Sequence, residues 1–474
     1  MSIDKKNNHN DQWRLETKAI LALAWPMVVT NFAQTAMTAT DVLMLSRLGP
    51  DTLAASGLGT NLQFLFMIFG LGLVLGVAPV LAQEIGSFKY EVRRVRQTVR
   101  HGLWLSILIS LPIWLILWNG SMILRAIGQD VGLAAMAGEY MRTLQWSILP
   151  FFGYIVLRSF ISALERPLWA MGIMVLAVAL NALANYALIY GHMGFPALGM
   201  RGSGIATTVS SSVMFLALAT VVSLDQQFSR YHLFGRFWRL DHHQFTHLLK
   251  LGFNIGLLLT FEVGLFAASG LVMGLIGRDT IAAYIVTIQL SSLAFMVPLG
   301  ISQAATVRVG LAYGAAYPDG MKRAGWVSFF LATGFMFLVA LVMVVMPEQL
   351  IGLFLNKEVA DSAMVFVLAV SFLKYVALFQ IVDGAQSVAG GMLRGLQDTK
   401  IPVIVGAIGY WAVGMPVGLL LAFTYELKGA GMWLGLASGL AIVAFALLWR
   451  WVVVTRRLGL KVERPNQPLT TDIT

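Results

Sequence analysis

The amino-acid sequence predicts an all-α polytopic membrane protein with twelve transmembrane helices in two duplicated six-helix lobes. Of its 474 residues, 58% are hydrophobic and 12% charged, and the mean hydropathy of +0.76 lies far above that of soluble globular chains. Apolar stretches of about 20 residues or more recur, each long enough to cross a hydrocarbon core of roughly 30 Å as a helix. The chain also contains an internal repeat at an offset of 228 residues, in which the segment that begins at Leu48 resembles the one that begins at Ile276.

The apolar stretches, taken in chain order, define the expected spans. They lie at residues 17–46, 54–86, 98–120, 134–157, 166–190, 201–224, 246–276, 282–314, 323–346, 361–392, 401–424 and 429–454. The first is too long for a cleavable signal and lacks a convincing cleavage site, so we expect it to remain as a membrane helix. The chain contains no cysteine, which excludes disulfides and thiolate metal sites.

The internal repeat indicates that the lobes arose by duplication. The segment "LGPDTLAA" from Leu48 matches "IGRDTIAA" from Ile276, and Gly86 matches Gly314 at the same offset. Six spans per lobe would give both lobes the same orientation. We expect a cytoplasmic N-terminal tail at 1–16, an N-lobe at 17–224, a cytoplasmic linker at 225–245, a C-lobe at 246–455 and a cytoplasmic C-terminal tail at 456–474. Rocking of such lobes around a central cleft is how repeat-built secondary transporters achieve alternating access.

The net charge of +10 reports orientation and not a nucleic-acid partner. The basic residues cluster in alternate loops, as the positive-inside rule requires of cytoplasmic loops. These residues are Lys89, Arg93, Arg94, Arg96 and Arg100, then Arg230, Arg236 and Arg239, and finally Arg450, Arg456, Arg457, Lys461 and Arg464. Both termini are therefore expected in the cytoplasm.

Three acids interrupt the apolar spans, namely Asp41, Glu262 and Asp383. Ionisable residues inside a membrane are expensive, and the default interpretation of one is functional. The alternative is a protonated carboxyl group that only ties helices together by hydrogen bonds, but three isolated acids make this less attractive. Lys374 complicates the pattern, because it either snorkels to the outer interface or pairs with an acid.

Asp41 belongs to a polar stripe on the first helix. At 100° per residue, Asn31, Gln34, Thr38 and Asp41 fall within roughly one quadrant, which we expect to face inward, with Gln34 and Thr38 lining the cavity. Pro26 removes one backbone hydrogen bond further back and permits bending. A change of helix shape on protonation of Asp41 is the predicted consequence.

Glu262 and Asp383 both lie in the second half, each with polar and aromatic neighbours on its helix face. The shared faces carry Asn254, Phe266 and Ser269 beside Glu262, and Phe379, Gln380, Gln386 and Ser387 beside Asp383. A dehydrated monovalent cation needs several oxygen ligands, which two carboxylates and their neighbours can supply. We therefore expect a coupling-ion site here, separate from Asp41. No GxxxxGK[ST] motif occurs, so energy, if transport needs it, must come from an ion gradient, and we expect no cofactor and no metal other than the coupling cation at Glu262 and Asp383.

Other motifs indicate structural roles. His243 and His247 have the i, i+4 spacing of a metal pair, but only Asp241 offers a nearby carboxylate. The basic and aromatic segment "RYHLFGRFWRLDHH" is more typical of an amphipathic stretch on the cytoplasmic headgroups.

The chain resembles the multidrug and toxic compound extrusion (MATE) transporters, and within them the NorM-like branch, over about residues 15–455. The resemblance rests on "WPMVVTNFAQTAMTATDVLMLSRLG" from Trp25, "APVLAQEIG" from Ala78, "TFEVGLFA" around Glu262, "QIVDGAQSVAGGMLRGLQDTKIP" from Gln380 and "YWAVGMPVG" from Tyr410.

The resemblance implies a multi-pass protein of the bacterial cytoplasmic (inner) membrane that exports organic cations, such as antimicrobials and dyes, in exchange for Na⁺ or H⁺. The family's cation-binding acids would fall on Glu262 and Asp383, and the acid linked to protonation and substrate release on Asp41. Phe266 and Gln380 would line the cavity, Phe266 through its ring face. We expect the protein to act as a monomer among membrane lipids and not as an enzyme.

Two other functions remain open at this point. A flippase for lipid-linked precursors shares this fold, but an anionic headgroup calls for a cationic cavity, whereas the charges placed centrally are acids. A channel or non-transporting receptor is disfavoured by the duplicated lobes and by the lack of a large soluble domain.

Overall fold

The computed structural model describes residues 9–87, 91–235, 237–238, 240–355 and 360–462, and within them every regular element is helical. The α-helices are α1 (His9–Ser46), α2 (Pro50–Leu75), α3 (Val77–Gly86), α4 (Glu91–Trp118), α5 (Gly120–Ala126), α6 (Val131–Leu144), α7 (Ile148–Ala163), α8 (Leu168–Tyr190), α9 (Met200–Leu224), α10 (Gln226–Ser229), α11 (His242–Ile276), α12 (Arg278–Gly314), α13 (Pro318–Val345), α14 (Pro347–Gly352), α15 (Ala360–Gly395), α16 (Lys400–Ala407), α17 (Met415–Leu419) and α18 (Lys428–Val462).

Twelve spans of these helices are long and apolar enough to cross a membrane, which confirms the predicted polytopic all-α fold. Some spans combine consecutive helices. One runs from Pro50 to Gly86 through α2 and α3, and another from Lys400 to Thr424 includes π-helical turns at Ile408–Gly414 and Leu420–Thr424. Pro416 follows the first π-helical turn, and a wider turn is one way to accommodate a ring that cannot donate a backbone hydrogen bond.

Several helices begin earlier than the apolar stretches. α1 is helical from His9 where the sequence predicts a span from 17, and α11 begins at His242 where it predicts one from 246. Hydropathy marks only the part of a helix that suits the hydrocarbon, whereas backbone hydrogen bonding continues into polar turns beyond it.

The described residues form two compact units that interleave the two halves of the sequence. One unit comprises those of Met1–Ala24, Ala82–Phe88 and Phe261–Thr474, and the other Trp25–Leu81 and Lys89–Thr260. α1 therefore passes between units one residue before Pro26, and α11 does so immediately before Phe261 and Glu262. The unit with Phe261–Thr474 is called the C-unit below, and the other the N-unit.

A reciprocal glycine contact joins α3 to α12 inside the C-unit. A Cβ atom at Gly86 would lie 2.2 Å from the carbonyl oxygen of Leu311, and one at Gly314 would lie 2.1 Å from that of Gln83. Both partners are related by the 228-residue repeat, so the duplicated helices cross with equivalent contacts. Gln83 adds a hydrogen bond, its Nε2 donating to the Gly395 carbonyl at 2.8 Å. Glycine is required here because two backbones come together.

In the N-unit, side chains of α4 hold the segment that follows α10. Arg96, Arg100 and Trp104, four residues apart on one helix face, donate to the carbonyl oxygens of Tyr231, Leu233 and Phe237 respectively, at 2.7, 3.1 and 3.1 Å. Tyr231 and Leu233 are buried, whereas Trp238 is 77% exposed. The expected headgroup segment is thus partly packed against protein.

Asp241 begins α11 as its N-terminal cap. Its carboxylate accepts the backbone N–H groups of Gln244 and His243, of which the Gln244 bond contributes most to lowering the pKa of Asp241 below its usual value. The backbone N–H of Asp241 in turn donates to Nε2 of the buried His101. Among the residues that the structure describes, no group of histidines and carboxylates has the arrangement of a metal site.

Candidate functional site

Asp41 lies buried in the N-unit with hydrogen-bond donors on both carboxylate oxygens. Asn185 of α8 donates its amide to Oδ1, and the Thr207 hydroxyl of α9 donates to Oδ2 at 3.0 Å. Asn185 also donates to the Asn181 amide oxygen at 3.1 Å. Donors of this kind stabilise an ionised carboxylate in a low-dielectric environment, which offsets part of its desolvation cost.

The donors around Asp41 were not predicted as site residues. Asn181 and Asn185 are fully buried and lie one turn apart on α8, a helix that is otherwise strongly apolar. Two buried amides on one helix face are a signal present in the sequence, but their partner lies 144 residues away for Asn185, so only the fold shows that it is Asp41.

Within the predicted stripe on α1, Asn31 is buried like Asp41, whereas the other two members are more accessible. Gln34 is partly buried and Thr38 exposed, and the Thr38 hydroxyl bonds back to the Gln34 carbonyl at 3.4 Å. α1 continues through Pro26 as one helix, and the Thr30 hydroxyl donates to the carbonyl of Pro26 at 2.7 Å.

Glu262 and Asp383, which the sequence analysis predicted to share a site, both belong to the C-unit. Glu262 is partly buried and Asp383 is 4% exposed, and the two carboxyl groups interact electrostatically. No described residue donates a hydrogen bond to Oδ1 of Asp383, a buried atom. At Asp41, by contrast, both oxygens have donors.

Arg394 is a charged member of this site that the sequence analysis did not identify. Its guanidinium interacts electrostatically with Glu262, and its NH2 group donates to the Ser302 hydroxyl at 2.9 Å. Ser302 then donates to the Ser387 carbonyl at 2.7 Å, which ties α12 to α15. When both carboxyl groups are ionised, the two carboxylates and the guanidinium together carry one net negative charge.

Tyr410 and Gln386 complete the polar surroundings of the acids. The Gln386 amide donates to the Tyr410 hydroxyl at 2.6 Å, and Tyr410 interacts electrostatically with Glu262 and Asp383. Both residues are buried, and Tyr410 lies within the π-helical turn Ile408–Gly414. π-helical turns are frequent at functional sites, where they reposition a side chain relative to a regular helix.

Gln380 and Phe266 flank the acids on α15 and α11. The Gln380 amide donates to the Ser291 carbonyl at 3.1 Å, and its side chain is fully buried. The ring of Phe266 packs edge-on against Phe379, with centroids 5.9 Å apart. Lys374, six residues before Gln380 on α15, is exposed, and no described residue forms an ion pair with it.

The comparisons with known proteins cover both halves of the chain. The MatE family model matches residues 26–187 and 255–420. A protein named probable multidrug resistance protein NorM from Mesorhizobium japonicum is 58% identical over 440 residues, 93% of this chain and 94% of that protein. A protein of the same name from Brucella suis is 48% identical over 441 residues, again 93% of this chain and 94% of the relative.

Solved structures of similar fold cover almost the whole chain. The eukaryotic MATE transporter AtDTX14 superposes with a TM-score of 0.81 at 20% identity, covering 95% of this chain and 100% of that one. A multidrug resistance MATE family transporter in an outward-facing conformation gives a TM-score of 0.83 at 20% identity, covering 96% and 99%. At this level of identity the likeness concerns the fold.

The resemblance predicted from the sequence motifs is confirmed by these matches. The family model spans the Asp41 segment as well as the helices that carry Glu262 and Asp383. With both halves matched by the family model and a relative 58% identical over 93% of its length, this chain belongs to the MatE family.

Proposed function

We propose that the protein is a secondary active multidrug efflux antiporter that exports organic cations, such as antimicrobials and dyes, in exchange for Na⁺ and/or H⁺. It resides in the bacterial cytoplasmic membrane with both termini in the cytoplasm, and it works as a monomer without a cofactor. The names of its relatives and the charge pattern of its loops support this assignment. Nothing in the proposed cycle requires a chemical reaction, so it is not an enzyme.

The observation that carries the proposal is the contrast between the two acidic sites. Asp41 accepts donors on both oxygens, whereas Oδ1 of the buried Asp383 has none among the described residues. A carboxylate without donors is costly to bury as an anion unless a cation joins it. We therefore infer that the coupling cation binds at Glu262 and Asp383, and that Asp41 controls binding and release of the substrate.

Asp41 is suited to control binding and release of the substrate, because hydrogen-bond donors stabilise its negative charge and a proton removes that charge. While ionised, it attracts a lipophilic cation, whose rings suit the apolar walls of the helices. Protonation of Asp41 removes this counter-charge and favours release of the drug. Binding of the coupling cation at Glu262 and Asp383 provides the free energy for the return step of the alternating-access cycle.

The experiment that tests this function is dye efflux from proteoliposomes. Efflux is measured first under an imposed Na⁺ gradient without a pH gradient, and then under a pH gradient without a Na⁺ gradient. The wild type is compared with Glu262→Gln, which keeps the side-chain shape and removes the charge. We expect ion-driven efflux by the wild type and its loss in Glu262→Gln.

Glu139→Gln is the matched control, because Glu139 is 52% exposed and pairs with Arg201 at the surface. We expect this variant to transport like the wild type. Normal ion-driven export by Glu262→Gln would remove Glu262 from the coupling site. Absence of efflux under both gradients in the wild type would contradict antiport and favour a lipid-linked precursor flippase.

A further inference from the structure

A buried arginine on α7, Arg158, has no partner for its charge among the residues that the structure describes. Its side chain is 8% exposed, yet the guanidinium forms no hydrogen bond or ion pair with any of them. Arginine stays protonated in proteins, so burial cannot turn it into a neutral group. A buried charge is costly unless an opposite charge or hydrogen-bonding groups accompany it, so Arg158 calls for an explanation.

Two other hydrogen-bond donors share the helix face of Arg158. Tyr154, Arg158 and Ser162 are four positions apart, so their side chains follow one another along α7. The Tyr154 hydroxyl donates to the carbonyl of Ala170 at 2.9 Å. The Ser162 hydroxyl is buried and donates to no described acceptor, whereas that of Ser159 donates to the carbonyl one turn earlier. Arg158 and Ser162 are thus neighbouring donors that lack an acceptor in the described part of the chain.

The titratable groups near Arg158 do not balance its charge. Within the described ranges, the guanidinium interacts electrostatically with Tyr154, whose phenol is a neutral group. Glu165, an acid that follows α7, is exposed and forms no ion pair with Arg158. Asp41, on α1, already accepts hydrogen bonds on both of its oxygens. The positive charge of Arg158 therefore remains uncompensated.

Snorkelling to the interface does not account for Arg158. α7 ends at Ala163, so Arg158 starts roughly 7 Å along the axis from that end, which the loop charges place on the cytoplasmic side. A snorkelling side chain keeps its charged group in water, as is possible for the exposed Arg166 just beyond α7. Arg158 is instead covered by neighbouring protein over most of its surface.

The internal repeat shows which partner Arg158 lacks. The segment "LRSFISALERP", which contains Arg158, resembles "LRGLQDTKIP", which contains Arg394, and the two arginines lie near the ends of the fourth and tenth spans. Arg394 interacts electrostatically with Glu262. The residue that corresponds to Glu262 at the 228-residue offset is Gln34, which is uncharged. The first half of the chain thus has the arginine of this pair without the acid.

We propose that Arg158 and Ser162 form a binding site for one small monovalent anion of the size of chloride. Such an anion accepts hydrogen bonds from the guanidinium and from the hydroxyl, and its single charge balances that of Arg158. A divalent anion would leave an excess negative charge in a low-dielectric environment. Because both side chains are more than nine-tenths buried, they leave little room for a bulky organic anion. The inference goes beyond the proposed antiport and depends neither on its substrate nor on its coupling cation.

The test is thermal stability of the full-length protein in detergent, with chloride titrated against the bulky anion gluconate at constant sodium concentration and ionic strength. The apparent melting temperature of the wild type should rise saturably by about 2–5 °C as chloride replaces gluconate, because a ligand that binds only the folded state stabilises it. Arg158→Met keeps an apolar stem of similar length but removes the positive charge, so its melting temperature should not depend on chloride.

Arg323→Met is the matched control. Arg323 is also 8% exposed, but it lies in the C-unit and its guanidinium donates to Gln12 and Tyr317. Loss of these bonds should lower the melting temperature of Arg323→Met, whereas the rise with chloride should equal that of the wild type. Ser162→Ala removes one donor and keeps the charge, so it should show the same rise at a several-fold higher chloride concentration.

A rise with chloride that persists in folded Arg158→Met would overturn the proposal, as would the absence of a saturable rise in the wild type. An equal loss of the rise in Arg323→Met would also overturn it, because chloride would then act on stability in general. If Arg158→Met does not fold, anomalous diffraction from wild-type crystals soaked in bromide decides, since bromide must then lie at the Arg158 guanidinium. Stabilisation of the wild type by phosphatidylglycerol without any response to chloride would replace the proposed anion by a lipid phosphate.

Discussion

Substitution of Gly86 by alanine tests the contact between the duplicated helices α3 and α12. The new Cβ atom would lie 2.2 Å from the Leu311 carbonyl oxygen, whereas real Cβ atoms essentially never approach another atom within 3.0 Å. The obstructing atom belongs to the backbone, so no change of rotamer relieves the overlap. The two helices must therefore separate by nearly 1 Å, a displacement that also loosens neighbouring contacts.

The expected cost follows from overpacking, which destabilises by about 1–3 kcal/mol. We expect a cost in the upper part of this range for Gly86→Ala, because the new Cβ atom is fixed to one backbone and meets the backbone of Leu311. Gly352→Ala is the control. Gly352 is also the last residue of a helix in the C-unit, but no atom from outside its own helical turn and chain neighbours lies within 4 Å of its Cβ position. Any gain in helix propensity is shared by the two variants and largely cancels.

The assay is thermal stability of the purified protein in detergent, measured as the monodisperse fraction left after heating. Gly86→Ala should lose monodispersity at a clearly lower temperature than Gly352→Ala, and Gly314→Ala should behave like Gly86→Ala because its Cβ would lie 2.1 Å from the Gln83 carbonyl oxygen. Equal stability of Gly86→Ala and Gly352→Ala would refute the reasoning.

Two further predictions concern a buried ion pair between α1 and α12 and the N-terminal cap of α11. Both oxygens of Glu16 accept from Arg308 at 2.8 Å, with side chains 10% and 23% exposed, so Glu16→Arg or Arg308→Glu should each cost about 2–3 kcal/mol. The double exchange should recover part of this cost in a thermal-stability cycle, and purely additive losses would show that ion pairing is not the cause. Asp241→Ala should cost about 1 kcal/mol at neutral pH through loss of the α11 cap. Because the Gln244 N–H lowers the pKa of Asp241, the stabilisation by the cap is present above the ordinary pKa of 3.8 and is lost as the pH falls below it. The difference in melting temperature between wild type and Asp241→Ala should therefore shrink between pH 6 and pH 3. A constant difference would contradict this assignment.

The sequence predicted the acids of the candidate site but not their partners. Asp41, Glu262 and Asp383 are conspicuous because a charge within an apolar span is costly wherever the helix lies. Arg394 was less conspicuous, since it falls near the end of its span, where an arginine reaches the interface easily. Asn185 and Thr207 became interpretable only when α8 and α9 brought them to Asp41.

The pairing of Gly86 with Gly314 also separates what the sequence predicts from what the fold adds. The repeat offset identified the two glycines as equivalent positions, which is a statement about one dimension of the chain. Each glycine packs against the backbone of the other's helix because α3 crosses α12. The sequence does not show which residue a given glycine contacts.

The sequence by itself determined the twelve spans, the duplication and the presence of intramembrane acids. Hydropathy, length and charge act locally along each helix, so no knowledge of the neighbouring helices is needed to recognise them. Only the tertiary structure decided that both carboxylate oxygens of Asp41 accept hydrogen bonds while Oδ1 of Asp383 has no donor among the described residues. That distinction arises from hydrogen-bond geometry between helices far apart in the chain, and it assigns different chemistry to two identical side chains.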